Sequence, residues 1–108
     1  MAKYYKADGT EQEVHPKNGE YFELDELQQL VGGFIELTDI VIDDELKRMC
    51  FDEEGKLKYV HMGDDGKLHV DEDKLNRKAT FIAQEYGFLS PFDFIVGDAI
   101  MLDDNEVR

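Results

Sequence analysis

Carboxylates are the one reactive group this chain carries in quantity. Twenty-six Asp and Glu stand against twelve Lys and Arg, for a net charge of −14 over 108 residues. Abundance alone nominates no general acid and base, because that role needs a carboxyl held in a special environment. Other reactive types are few. Ser90, the one serine, precedes Pro91 in a turn and has no nucleophile-elbow residues around it. Cys50 stands alone, which excludes an internal disulfide and suits a reducing compartment. With no basic cluster beside it to make a thiolate, it reads as a small buried hydrophobe.

Residue spacing speaks against metal and phosphate chemistry. Placing Gly66 at the sixth position of an EF-hand loop puts Asp65 fifth and Glu72 twelfth, but His61 first and Gly63 third, so two ligands are missing. Placing Gly55 there puts Cys50 first and His61 last, which is worse. His61 and His69 lie eight residues apart across a predicted turn and are able to meet. With His15 distant, they read as exposed strand histidines rather than a metal centre. Gly32-Gly33 follow a helix, at its negative end, whereas phosphates favour the amino-terminal end. Gly97 lacks the companion glycines and Lys-Ser/Thr of a nucleotide loop. The expectation is therefore a binding protein rather than an enzyme, with no cofactor and no metal.

The elements that would position these groups follow from hydrophobic period and turn residues. Lys3 to Ala7 and Thr10 to His15 read as a hairpin about a two-residue Asp8-Gly9 turn. Pro16 ends the second strand, and Asn18-Gly19 turns the chain. A helix is predicted over Leu24 to Val31, with Leu24, Leu27, Leu30 and Val31 inward. Gly32 is its left-handed cap, and a strand starts from Phe34 and Ile35. Asp43-Asp44-Glu45 marks an exposed turn. Asp52-Glu53-Glu54-Gly55-Lys56-Leu57 is echoed by Gly63-Asp64-Asp65-Gly66-Lys67-Leu68, and both read as turns of a three-stranded meander from Arg48 to Val70. A second helix is predicted from Lys74 to Tyr86, capped by Asp71 or Asp73, with Leu75, Ala79, Ile82, Ala83 and Tyr86 on its inner face. Asp93 to Leu102 reads as a strand broken at Gly97-Asp98, followed by a polar, fraying tail from Asp103. The expectation is one α+β domain over 1–108, in the order ββα-β-meander-αβ. Its mixed sheet would have about five to seven short strands, with two helices on one face. A β-grasp-like layout is one candidate.

Charge and hydropathy bound the partners. A strongly acidic surface repels phosphates and anionic lipids, so direct nucleic-acid or membrane binding is not expected, and basic protein faces are favoured. No run of 18 apolar residues and no leader pattern is present, so the expected setting is the cytoplasm.

Several blocks carry a resemblance. They are Asp8-Gly9, Pro16-Lys17-Asn18-Gly19 and Leu24-x-x-Leu27-Gln28-x-Leu30-Val31-Gly32-Gly33-x-Ile35-Glu36. Asp52 to Leu57, Asn76-x-Lys78-Ala79-Thr80 and Ile95-Val96-Gly97-Asp98-Ala99 continue it. In this order they resemble an uncharacterised family of small domains encoded by bacteriophages and bacterial conjugative elements. The stretch from Tyr59 to Asp73 is longer than is usual there and reads as a local addition. The resemblance brings no catalytic residues. It implies a phage or mobile-element product acting inside a bacterial host.

Joined to the charge, this leads to an expected inhibitor of a host or defence protein, binding a basic surface and imitating nucleic-acid charge. The carboxylates expected to carry it are Asp43, Asp44 and Glu45; Asp52, Glu53 and Glu54; Asp64 and Asp65; and Asp71, Glu72 and Asp73. Leu30, Val31, Gly32, Gly33, Ile35, Gly97 and Asp98 are expected to be structural. One alternative is a sponge for a nucleotide signal. It would use faces from Tyr4, Tyr5, Tyr21, Tyr59, Phe92 and Phe94, and charges from Arg48, Arg77 or Lys78. A structural or assembly protein, including a homo-oligomer, is the other.

Overall fold

A computed structural model describes residues 2–87, 89–90 and 93–107; Phe92 and Pro91 lie outside them. The chain runs β1 (Ala2–Tyr5), β2 (Glu11–Val14), α1 (Leu24–Val31), β3 (Ile35–Ile42), β4 (Glu45–Asp52), α2 (Gly55–Tyr59), β5 (Val60–Met62), β6 (Leu68–Val70), α3 (Arg77–Glu85) and β7 (Ala99–Asp103). Five strands form one sheet in the order β2-β1-β7-β4-β3, and β5 pairs only with β6. The class is α+β, mostly sheet. Every strand pairing is antiparallel, so the sheet is not mixed, and the antiparallel β1–β7 pair departs from a β-grasp-like layout.

The helices cover both faces of the sheet rather than one. Tyr4, Cys50, Ile100 and Leu102 point toward α1, where Leu27, Val31 and Phe22 complete a core. Their neighbours Tyr5, Met49, Ala99 and Met101 point the other way, onto Ala79 and Ala83 of α3. Alternate strand residues face opposite sides, so a central strand buried on both needs an unbroken apolar run. Ala99-Ile100-Met101-Leu102 is such a run, and it was the sequence signal for a three-layer packing.

Local chemistry explains each element. Glu23 and Glu26 form a capping box at the start of α1, and Gly32 ends it at φ 92°. Leu24, expected inward, is exposed at the first helical position. Asp43 and Asp44 both take positive φ, 52° and 65°, between the paired Ile42 and Glu45. They make the two-residue hairpin turn, and Glu45 already belongs to β4. The Asp8-Gly9 hairpin instead has three loop residues. Lys6 N–H bonds Thr10 O at 2.9 Å, and Gly9 takes φ 94°. The Asp8 carboxylate sets that shape by accepting from Thr10 N and Oγ1.

Two further expectations are corrected. The cap of α3 is Asn76, whose Oδ1 accepts from Ala79 N at 3.1 Å, and the helix begins three residues later than predicted. Tyr86, expected inward, is largely exposed. The tail is docked, because Phe22 N–H bonds Glu106 O at 2.7 Å and Val107 packs on the α1-side core. Asp103 and Glu106 form a second capping box that starts the closing 3-10 turn, a spacing readable in the sequence.

Candidate functional site

The supposed echo in the sequence folds in two different ways. Gly63 to Lys67 is a hairpin turn closed by Gly63 N–H to Lys67 O at 2.8 Å, as expected. Asp52 to Leu57 is no turn between meander strands; it leads into α2. Gly55 permits this. A Cβ there would lie 2.8 Å from Val96 Cγ2 and 2.9 Å from Val96 O, so only glycine lets α2 start against that segment. Tyr59 O then accepts from Asp71 N at 2.9 Å, and Leu75 bridges Val96. Residues 53–75 thus form an excursion outside the five-stranded sheet, tied at both ends to the segment before β7.

The predicted carboxylates divide between two places and three roles. Asp43, Asp44 and Glu45 sit at one end of β4, and Asp52, Glu53 and Glu54 at the other. Eight residues of strand separate them by about 25 Å. They do not make one continuous edge. Asp52 is a structural acid, buried and bonded through Oδ2 to Lys58 Nζ at 2.6 Å and through Oδ1 to Glu54 N at 2.8 Å. Gly33 makes room for that pair, since a Cβ there would fall 2.7 Å from Lys58 Nζ. The glycine pair after α1 therefore has separate tasks: Gly32 caps, and Gly33 admits an ion pair. Asp65 accepts from Lys67 N and faces His69, while Asp71 faces His61 at 3.8 Å. Glu53, Glu54, Asp64, Glu72 and Asp73 are exposed and have no ion-pair partner among the described residues.

Much of the chain's positive charge is already engaged. Lys47 meets Asp103 and Glu45, Arg48 meets Asp39 and Asp104, Lys56 meets Asp93, Lys58 meets Asp52, and Lys78 meets Glu11. The lysine beside Asp103 holds that carboxyl below the usual range, and Lys56 does the same to Asp93. Of the basic groups offered to a nucleotide, Arg48 and Lys78 thus face acids, and the aromatics are dispersed. Tyr4 and Tyr5 are core residues, and Phe94 lies under the Lys56 ammonium, 5.0 Å from ring centre. A cleft of about 330 Å³ beside Phe51 and Phe94 is rimmed by Glu36, Glu53 and Asp93, the wrong sign for phosphate.

Sequence reasoning missed the apolar side of the excursion. Leu57, Met62 and Leu68 are 83%, 63% and 70% exposed. Met62 and Leu68 are directly opposed across the β5–β6 ladder, so they share one face of the hairpin. The signal was present in Val60-x-Met62 and Leu68-x-Val70, whose alternation demands an apolar face that the main sheet does not cover.

Gly97 and Asp98 also organise the approach to β7. Gly97 has φ 85°, and its N–H bonds Lys74 O. Asp98 accepts from the Tyr4 hydroxyl at 3.0 Å and Ala7 N at 2.9 Å. The buried Asp52–Lys58 pair is open to test. Lys58→Met should cost about 1–3 kcal/mol by stranding the carboxylate, a penalty moderated by the water that reaches Lys58. Lys56→Met breaks a more exposed pair and should cost less than about 1 kcal/mol. Urea unfolding of both variants checks the order.

The fold and site define a small α+β domain that presents an acidic excursion. No protein family, characterised protein or solved structure matches this chain. Among the described residues no helix is long and apolar enough to cross a membrane.

Proposed function

We propose that this protein is a binding module that docks on a basic surface of another protein through the excursion 53–75. In the genomic setting the motifs imply, that partner is a host or defence protein and the outcome of binding is inhibition. One observation carries the reading: Leu57, Met62 and Leu68 are exposed on the same excursion whose Glu53, Glu54, Asp64, Glu72 and Asp73 have no ion-pair partner among the described residues. Apolar anchors supply affinity by leaving water, and surrounding charge supplies steering and register. Imitation of nucleic-acid charge is the sharper form, in which the carboxylates occupy a groove that otherwise holds phosphates.

The test is capture of interacting proteins from bacterial host lysate with two variants beside the wild type. One carries Glu53→Lys, Glu54→Lys, Glu72→Lys and Asp73→Lys; the other carries Leu57→Asp and Leu68→Asp. A partner held by the wild type, released by high salt and lost from both variants supports the reading. A partner held equally by all three removes the excursion from the interface. A co-purifying nucleotide with no protein partner favours the sponge.

A further inference from the structure

His61 and His69 stand directly opposite each other on β5 and β6. Their rings stack with centres 5.9 Å apart and planes 25° from parallel. Cross-strand partners share a face, so the two imidazoles lie on the side of the hairpin away from Met62 and Leu68. We propose that this pair binds a divalent transition-metal ion of the zinc or nickel type through two nitrogens, with its remaining positions filled from outside the chain.

The carboxylates beside the rings decide which nitrogens are available. Asp65 lies 3.0 and 3.1 Å from His69 Nε2, and Asp71 lies 3.8 Å from His61 Nδ1. A carboxylate holds the imidazole proton on the nitrogen it faces and leaves the lone pair on the other. Asp65 therefore leaves His69 Nδ1 to ligate, while Asp71, at 3.8 Å, is too far to hydrogen-bond His61 and leaves both of its nitrogens open. Two imidazoles on one tetrahedral ion, with metal–nitrogen bonds of about 2.0 Å, have ring centres about 5 Å apart and lone pairs that converge in the ring planes. The pair stands slightly wider than that, and a turn of the rings out of their stack is needed to bring both lone pairs to one ion.

The turn is shaped around this arrangement. A Cβ at Gly63 would fall 2.5 Å from His69 Cδ2, 2.6 Å from Nε2 and 2.9 Å from Asp65 Oδ1. A side chain there would push the ring away from the turn and from Asp65. Among the described residues no group of three His, Cys, Asp or Glu is arranged to enclose an ion. The site is thus open, with two positions left for water, a second copy or a partner. It stands independently of the partner-binding reading.

The experiment titrates Zn²⁺, and separately Ni²⁺, into the full chain by calorimetry. Zn²⁺ binding is followed on the histidine side-chain resonances. Saturable binding that moves His61 and His69 but not His15 is expected. His61→Asn and His69→Asn should each lower affinity at least about tenfold, and Asp65→Asn about tenfold through loss of its support. Gly63→Ala keeps both imidazoles and should weaken binding by displacing His69. Circular dichroism checks that the main sheet is intact, as expected for a hairpin outside it. Absence of saturable binding overturns the site, as does binding that survives loss of both histidines.

Discussion

Asn76→Ala is expected to bring the domain close to unfolding. Asn76 is 1% exposed and ties three elements together. Its Oδ1 caps α3, while Nδ2 donates to Tyr5 O at 2.8 Å and Gly97 O at 2.9 Å. Truncation loses a cap worth about 1 kcal/mol. It also strands two carbonyls, at about 1–3 kcal/mol for each that is left without a donor. The sum, about 3–7 kcal/mol, is a large share of the 5–15 kcal/mol that holds an ordinary domain together. Asn76→Asp separates the two contributions. Aspartate is as good a cap as asparagine, but here it would turn a charge against two carbonyls. If capping were all, Asp would be neutral; the structure predicts a loss at least as large as for alanine. Urea denaturation decides, and an Asn76→Asp variant within about 1 kcal/mol of wild type would refute the buried knot.

The second large effect is a loss of stability in alkali. Burial pushes the Cys50 thiol from about 9 up to about 12. Burial also raises Tyr4 and Tyr5, with Asp98 adding to the shift at Tyr4 and Glu11 at Tyr5. An acid that keeps its proton longer in the folded chain leaves stability intact below its unfolded pKa. As pH rises past that value, stability falls until the folded group also ionises. The loss therefore begins near pH 9 for Cys50 and near pH 10 for the tyrosines. Each group withdraws about 1.4 kcal/mol per pH unit in its window, so Cys50 alone removes about 4 kcal/mol by pH 12. Adding the tyrosines and a growing negative charge, unfolding is expected between about pH 11 and 12. Tyrosinate absorbance should then rise in a cooperative step coincident with loss of circular dichroism. Free titration of all five tyrosines near pH 10 in a folded chain would contradict the burial of Tyr4 and Tyr5.

Neither centre was legible as such in the sequence, though every residue in them was visible. Asp71 and Asp73 suit a helix start as well as Asn76 does, and the choice among caps depends on which one meets a buried carbonyl. Cys50 is buried, as its lone apolar character predicts. Tyr5 and Met49 were not placed on an opposite core, because the helices were expected on one face.

Determined by the sequence itself were the features whose physics is local. The helix Leu24–Val31, its left-handed Gly32 and the Gly63–Lys67 hairpin turn all follow from a few adjacent residues, whereas the strand expected from Asp93 begins only at Ala99. Period and backbone freedom act within one turn of chain, so such features need no distant partner. Only the tertiary structure decided the rest. The blocks around Gly55 and Gly66 share acids, glycine, Lys and Leu, yet one begins a helix because Val96 leaves no room for a Cβ, while the other closes on itself as a turn. Asp52 is withdrawn from the surface by Lys58, whereas Glu53 and Glu54 beside it remain exposed. Whether a carboxylate is a brace or a contact depends on which cation the fold brings to it, and that cation is supplied by another element.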